Sequence, residues 1–330
     1  RDIEILRGIA VALTLGNHLG HIIETYPTNI VSKLYFGSFM LFTYWGGVDL
    51  FFAISGFVIT NHFARAFLEA PNKHVFWREG RAFWLRRIYR IWPLAYFWLV
   101  CAILLSVVFA NGGHFGTIRT ALNDAIAAVL QVANVHFMAC HNYFGGATCT
   151  RSNISYWSLS LEEQFYFLFP FLLFLLRRRI WILLAVLIAA QIFLARWPPE
   201  PLWWFRTDAL MLGVLIGLFR QVPLLKALEP RKLLEYRWMR YELFAVLILC
   251  IIFFPAENPR WVRFGTGALA LTSAIAVFIA AFDRNYLLPT GWLGNQLEYL
   301  GSRSYSIYMA HMPVFELTNQ FKDTVHSTGY

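Results

Sequence analysis

Apolar and aromatic residues fill repeated stretches of the chain, and short polar segments separate these stretches. About 20 consecutive apolar residues are needed for a helix to cross a hydrocarbon core of roughly 30 Å. Nine stretches reach or approach this length, at 3–23, 39–60, 91–110, 156–176, 180–195, 202–219, 241–255, 264–282 and 302–318. The pattern therefore predicts an all-α, polytopic transmembrane helix bundle with about nine spans.

Composition and charge support this interpretation. Hydrophobic residues make up 58% of the 330 positions and charged residues only 14%, against about 25% charged in a soluble domain, so a soluble globular domain is excluded. If the amino terminus is cytoplasmic, 20 of the 28 Lys and Arg residues fall in cytoplasmic segments, as the positive-inside rule requires. We therefore expect a plasma (inner) membrane protein that contacts the lipid bilayer, and no nucleic-acid partner.

The segment between the third and fourth spans has two features of its own. The apolar stretch 120–137 would place Arg177, Arg178 and Arg179 on the outer side if it crossed the membrane, so we expect a helix that lies at the outer surface or dips into the bundle. Cys140 and Cys149 flank a turn-rich loop. They form a disulfide if that loop faces an oxidising compartment and stay free otherwise. The four cysteines have no metal-site spacing, and no metal is expected.

The first span carries a stripe of polar residues. Arg7 and His18 are 11 positions apart, which on a helix brings them within about 20° of one face and separates them by roughly 16 Å. Charges inside a membrane are costly and call for a partner or a function. His18 is either a buried histidine that hydrogen-bonds neighbouring helices, or a general base, because imidazole titrates near neutral pH.

Other polar residues interrupt the second and fourth spans. Asp49 and Ser55 lie among aromatic residues and glycines that permit close helix contact. Asp49 is therefore either an interhelical hydrogen-bond acceptor or a functional carboxylate. Glu162 and Glu163 are adjacent, so they point about 100° apart and only one of them can face the interior that His18 faces.

A cluster of arginines precedes the third span: Arg78, Arg81, Arg86, Arg87 and Arg90. Such a cluster fixes topology and contacts anionic lipid. It also suits phosphate binding, because Arg87 and Arg90 are one helical turn apart and guanidinium groups match phosphate oxygens. On that second interpretation, a nucleotide-bearing ligand such as acyl-CoA docks there.

Taken in order, these motifs resemble those of the membrane acyltransferase 3 family across nearly the whole chain. The stretch IEILRGIAVALTLGNH is similar to its first helix, and GGVDLFFAISGFVIT is similar to its second. FWLRRIYRIWP resembles its Arg-x-x-Arg stretch, WSLSLEEQFYFLFP its Glu-bearing helix and SRSYSIYMAHMPVF its late His-bearing helix. The matched positions are Arg7, His18, Ser55, Arg87, Arg90, Glu162 and His311.

The resemblance implies a single acyltransferase domain over 1–330 that moves an acyl group, usually acetyl, from cytoplasmic acyl-CoA to a hydroxyl of an extracytoplasmic glycan or similar acceptor. The family usually has ten spans, so the tenth is expected to lie beyond this sequence.

The residues receive roles in this scheme as hypotheses. We expect Arg87 and Arg90, assisted by Arg86 and Arg81, to bind acyl-CoA as co-substrate, with acetyl-CoA the expected donor. His18 acts as base or as an acyl carrier, and Glu162 orients it. Ser55 or an exposed amide holds the oxyanion. The predicted catalytic set is His18, Glu162, Arg7, Ser55 and Asp49.

Two rival functions exist for the same residues. A proton-coupled secondary transporter would use His18, Asp49, Glu162 and His311 as a relay. The sequence shows no inverted repeat, however, and a transporter does not need phosphate-binding arginines. A purely structural membrane scaffold would leave the buried charges unexplained.

Overall fold

The computed structural model describes residues 1–23, 33–34, 38, 42–109, 113–143, 149–198, 200–220, 222–255 and 263–327. These residues form helices joined by short connections, with no strand among them. The helices are α1 (Asp2–His18), α2 (Gly20–Ile23), α3 (Gly46–Leu68), α4 (Lys73–Val108), α5 (Ile118–Val129), α6 (Ala133–Asn142), α7 (Tyr156–Leu176), α8 (Ile180–Ile192), α9 (Asp208–Phe219), α10 (Pro223–Ala227), α11 (Lys232–Glu235), α12 (Arg237–Phe253), α13 (Gly265–Ala280), α14 (Trp292–Ser302) and α15 (Ser304–Ser327). The expected all-α bundle is confirmed.

Several helices are apolar enough to span a membrane. By length and composition these are Gly46–Leu68, Lys73–Val108 and Pro201–Phe219, and Gly265–Ala280 is a shorter apolar helix. α4 begins at Lys73, because Asn72 caps the helix by accepting a hydrogen bond from the Val75 amide at 3.0 Å. The third predicted span, 91–110, therefore corresponds only to the second half of this helix. The arginine cluster therefore lies on the same continuous helix as the apolar span that follows it.

The stretch 120–137, expected as one helix, forms the two helices α5 and α6. Thr117 caps α5 by accepting a hydrogen bond from the Thr120 amide at 3.2 Å. The helix ends just before Gln131, whose φ of 57° is incompatible with a continuous right-handed helix. Cys140, near the end of α6, forms a disulfide with Cys149, so of the two states left open by the sequence the structure contains the bridged one.

Hydrogen bonds fix which chain segments share an end of the bundle. The Arg177 guanidinium donates to the carbonyls of Leu68 at 2.6 Å and Ala70 at 2.7 Å, where α3 ends. At the start of α1, the Arg1 guanidinium donates to Asn285 Oδ1 at 2.8 Å. The arginine-rich segments after α3 and α7 thus meet at one end, as the predicted alternation of spans requires.

Close packing around α3 forms the centre of the bundle. α3 contacts α1, α9 and α13, and small residues allow the backbones to approach. A Cβ atom at Gly56 would overlap the Leu210 carbonyl oxygen of α9, and one at Gly213 would overlap the Ala53 carbonyl oxygen of α3. Mutual glycine contacts of this kind are typical of helix pairs in membranes.

Candidate active site

Two cavities lie end to end along α1. The first, called here the arginine cavity, has a volume of about 150 Å³. The second, the tryptophan cavity, has a volume of about 310 Å³. Val48 and Tyr308 line both cavities and therefore form the partition between them. The arginine cavity is lined by Arg7, Phe51, Ser55, Arg87, Arg90, Ser158, Glu162, Tyr166 and Tyr305, among others.

Three arginines give the arginine cavity its positive charge. Arg7 pairs with Glu4 at 2.6 Å on the same helix. Arg87 lies over the ring of Tyr166, with its guanidinium carbon 5.0 Å from the ring centre. Among the described residues neither Arg87 nor Arg90 makes an ion pair. Guanidinium groups with no carboxylate partner suit an anionic ligand.

A chain of hydrogen bonds crosses the floor of the arginine cavity. The Tyr166 hydroxyl donates to Glu162 Oε2 at 2.8 Å and lies 2.5 Å from the Ser55 hydroxyl. Ser55 also donates to Glu162 Oε2 at 3.4 Å. Two hydroxyls therefore hold the Glu162 carboxylate in one orientation. Trp92 of α4 donates to Glu163 of α7, the residue that follows Glu162, at 3.5 Å.

The remaining predicted phosphate ligands lie outside the cavity lining. Arg86 stacks on Phe63, with its guanidinium carbon 5.0 Å from the ring centre. Arg81 is exposed and donates to the Trp77 carbonyl at 3.4 Å. Only Arg87 and Arg90 of the predicted four therefore face the cavity, where Arg7 joins them.

His18 lines the tryptophan cavity beside a second histidine. Its ring centre is 5.2 Å from that of His311 on α15. His311 Nδ1 donates to the Tyr308 carbonyl at 2.6 Å, because a carbonyl oxygen can only accept. In the neutral ring this leaves Nε2 as the basic nitrogen. The structure thus brings His18 and His311, two histidines that the sequence singled out, into contact.

Asp49 forms a buried ion pair at the wall of the tryptophan cavity. Arg206 Nε donates to the Asp49 carboxylate oxygens at 3.0 and 3.2 Å, and both side chains are fully buried. Three indoles surround the Arg206 guanidinium, whose carbon lies 3.9 Å from the ring centre of Trp203, 4.7 Å from that of Trp157 and 4.9 Å from that of Trp45. Arg206 lines the cavity whereas Asp49 lies behind it, so Asp49 acts here as the partner of Arg206.

Tyr308 connects the two cavities through its hydroxyl. This hydroxyl lies 2.5 Å from the Ser158 hydroxyl, and Ser158 lines the arginine cavity. The ring of Tyr308 also contacts that of His311, with centres 5.5 Å apart. The partition is therefore a single layer of side chains, thin enough to place ligands from both cavities near one another.

The predicted catalytic residues separate into two groups. Arg7, Ser55 and Glu162 line the arginine cavity, whereas His18 lines the tryptophan cavity. The hydrogen bonds of Glu162 go to Tyr166 and Ser55 rather than to His18, so the expected orienting contact is not formed in this structure. The catalytic roles of these residues stay predictions.

Sequence reasoning did not include Tyr166 or Tyr308 among the site residues, and it gave Arg206 no role in the site. Tyr166 lies four positions after Glu162, a spacing that places two side chains together on a helix, so this contact was open to prediction. Arg206 was visible as a charge at the start of an apolar stretch, but its partner Asp49 lies 157 positions away in the sequence. Tyr308 carries no sequence signal beyond its place in an apolar helix.

These features define an integral membrane helix bundle with two polar cavities that meet inside it. A family model described as an acyltransferase domain matches residues 1–328. The chain therefore belongs to this acyltransferase family, as its motifs predict.

Curated relatives have names that specify a reaction. The chain is 28% identical over 303 residues to the putative peptidoglycan O-acetyltransferase YrhL of Bacillus subtilis, an alignment that covers 84% of this chain and 45% of that protein. It is 29% identical over 297 residues to the peptidoglycan O-acetyltransferase OatA of Listeria monocytogenes, covering 82% of this chain and 45% of that protein. The chain spans about half the length of the curated relatives it matches. No solved structure matches it.

Proposed function

We propose that this domain is a membrane O-acyltransferase, which transfers an acetyl group from cytoplasmic acetyl-CoA to a hydroxyl of an extracytoplasmic glycan. The observation that carries the proposal is the pair of cavities that meet at Tyr308 and Val48. One cavity is rich in arginine and suits an anionic donor. The other holds His18 and suits an alcohol that needs a base.

The donor fits the arginine cavity by charge and by reach. Arg87 and Arg90 bind phosphate oxygens of the nucleotide at the cavity mouth, and Arg7 adds positive charge. The rise along α1 from Arg7 to His18 is roughly 16 Å, comparable with an extended pantetheine arm. A thioester can therefore reach the partition while its nucleotide stays at the arginine-rich end.

His18 would remove the proton from the acceptor hydroxyl. The hydroxyl oxygen then attacks the thioester carbonyl carbon, the new C–O bond forms, and the C–S bond breaks with the electron pair leaving on sulfur. The protonated imidazole returns its proton to the thiolate of CoA. In the alternative order, His18 first accepts the acyl group and then passes it to the hydroxyl.

The relatives support the acetyl group and the glycan. Both are named as peptidoglycan O-acetyltransferases, and the matched region covers most of this chain. The transporter alternative is weakened because Asp49, one of its relay members, is held in a buried ion pair with Arg206.

The proposal is tested with the purified protein in nanodiscs, supplied with radiolabelled acetyl-CoA and a chitooligosaccharide acceptor. His18→Ala should abolish labelling of the sugar while leaving the thermal unfolding temperature of the protein unchanged. Full turnover in this variant would remove His18 from the mechanism.

A second variant tests the donor site. Arg87→Ala should raise the KM for acetyl-CoA about tenfold or more, the loss expected for a charge-assisted hydrogen bond, and leave the KM for the sugar unchanged. Arg65→Ala is the matched control, because Arg65 is exposed and, among the described residues, forms its ion pair with exposed Glu69. If the two variants have the same KM for acetyl-CoA, Arg87 does not bind the donor, and the arginine cluster serves only to fix the membrane topology.

A further inference from the structure

The tryptophan cavity contains a group of buried polar atoms with no hydrogen-bond partner among the described residues. They belong to side chains that line this cavity and are at least about nine-tenths buried. The atoms are Thr43 Oγ1, Trp45 Nε1, Ser155 Oγ, Trp203 Nε1 and Arg206 Nη2. Buried polar groups in native proteins are nearly always paired. Five such atoms around one cavity therefore indicate a ligand that supplies the missing partners.

The chemistry of these atoms restricts the ligand. Indole and guanidinium nitrogens can only donate, so Trp45, Trp203 and Arg206 require acceptor oxygens. The hydroxyls of Thr43 and Ser155 can donate or accept. A ligand with several hydroxyls and at least one strong acceptor, such as an amide carbonyl, satisfies this set.

The charge of the cavity wall further narrows the choice. Asp49 neutralises Arg206, and neighbouring Arg196 is paired with Asp208 at 2.5 Å. The charges at this wall are therefore paired. Unlike the arginine cavity, the tryptophan cavity does not favour an anionic ligand. The indoles add apolar surface that suits the C–H faces of a sugar ring, and the volume of about 310 Å³ lies within the range of small-molecule sites.

We infer that the tryptophan cavity binds an N-acetylated pyranose of the acceptor glycan, with the acetamide carbonyl accepting from the donor-only nitrogens and a ring hydroxyl facing His18. This inference rests on the proposed function, because it specifies the acceptor and its site. Thr43 and Ser155 become residues that determine acceptor specificity, alongside Arg206.

The inference is tested by calorimetric titration of the protein in nanodiscs without acetyl-CoA. Three trisaccharide probes are compared: chitotriose in its N,N′,N″-triacetylated form carries acetamides, cellotriose carries hydroxyls in their place, and trigalacturonate carries carboxylates and is the anionic comparison. Chitotriose should bind about tenfold more tightly than cellotriose, the discrimination expected when donors are left without an acceptor, and trigalacturonate should bind no better than cellotriose. Preference for cellotriose or trigalacturonate, or no binding of chitotriose, would overturn the inference.

Matched hydroxyl deletions locate the site. Thr43→Val and Ser155→Ala should each weaken chitotriose binding about threefold to tenfold and raise the KM for sugar but not for acetyl-CoA. Thr60→Val and Ser273→Ala are the controls, because Thr60 and Ser273 also carry buried, unpartnered hydroxyls but line neither cavity. Equal effects in the two sets would assign the hydroxyls to structure alone.

The binding and transfer assays separate the two proposals. Chitotriose binding that depends on Thr43 and Ser155, with no acetyl transfer, would contradict the proposed function and leave the sugar site standing. Acetyl transfer with no response of the sugar KM to either substitution would support the function and overturn the site.

Discussion

Two ion pairs of this bundle are buried on both sides, Arg206–Asp49 and Arg196–Asp208, and each pair depends on both members. Asp49→Ala would leave Arg206 fully buried among three indoles without its carboxylate. Breaking a buried pair in this way costs about 3–5 kcal/mol. We therefore expect the variant to lose most of its stability, which thermal unfolding in detergent measures.

An exposed pair supplies the control for this prediction. Glu69→Ala removes the partner of Arg65, and both side chains of that pair are largely exposed. Such pairs contribute about 0–1 kcal/mol, so the unfolding temperature should hardly change. If Asp49→Ala and Glu69→Ala unfold at the same temperature, Asp49 has no structural role and becomes available as a functional carboxylate.

At the level of residues, local spacing was predictable and distant pairing was not. The 11-residue interval between Arg7 and His18 correctly places both on the inward side of α1, where each lines a cavity. The spacing carries no information about which helices close around them. Glu162 was therefore assigned to His18, although Tyr166 and Ser55 bind its carboxylate in the structure.

The crossing of α3 and α9 depends on two glycines that face each other's backbones. Gly213→Ala would place a methyl group against the Ala53 carbonyl oxygen, and neither helix backbone can move without separating the pair. Overpacking of this kind costs about 1–3 kcal/mol. We expect a lower unfolding temperature and a weaker acetyl transfer, because α3 carries Val48 and Ser55 into the site.

Gly16→Ala is the matched control on α1. A Cβ atom at Gly16 would meet the Tyr44 ring at 3.8 Å, an ordinary contact. Alanine is favoured over glycine in a helix by about 0.5–1 kcal/mol, so this variant should be as stable as the parent or more so. If Gly213→Ala is as stable as Gly16→Ala, α3 and α9 can move apart to accommodate the methyl group, and the prediction is wrong.

The helices were easier to predict than their ends. Apolar runs located α7 and α13 to within a few residues, because burial in lipid requires a continuous apolar segment. The start of α4 at Lys73 depends instead on the Asn72 cap, which lies in a polar segment without an apolar signal. Similarly, the break between α5 and α6 depends on the backbone of Gln131, a residue type that does not by itself indicate a turn.

The two cavities follow one another along α1, one lined by Arg7 and the other by His18, so we expect them to open to opposite sides of the membrane. Ser302 is exposed and lines the arginine cavity, whereas Arg119 is exposed on α5, in the segment predicted to lie outside. Cysteines placed at these two positions, in a background with Cys101 and Cys250 replaced by serine, report the orientation. The disulfide keeps Cys140 and Cys149 from reacting.

An impermeant maleimide should label Ser302→Cys in inside-out vesicles and Arg119→Cys in right-side-out vesicles. The reason is the charge distribution: the arginine-rich segments share the end of the bundle at which α1 begins, and basic segments are retained in the cytoplasm. Each variant should stay unlabelled in the vesicle orientation in which the other is labelled, and this shows that the vesicles are intact. Labelling of both from the same side would contradict the placement of the cavities at opposite faces, and labelling of Ser302→Cys from outside would exclude a cytoplasmic acetyl-CoA as the donor.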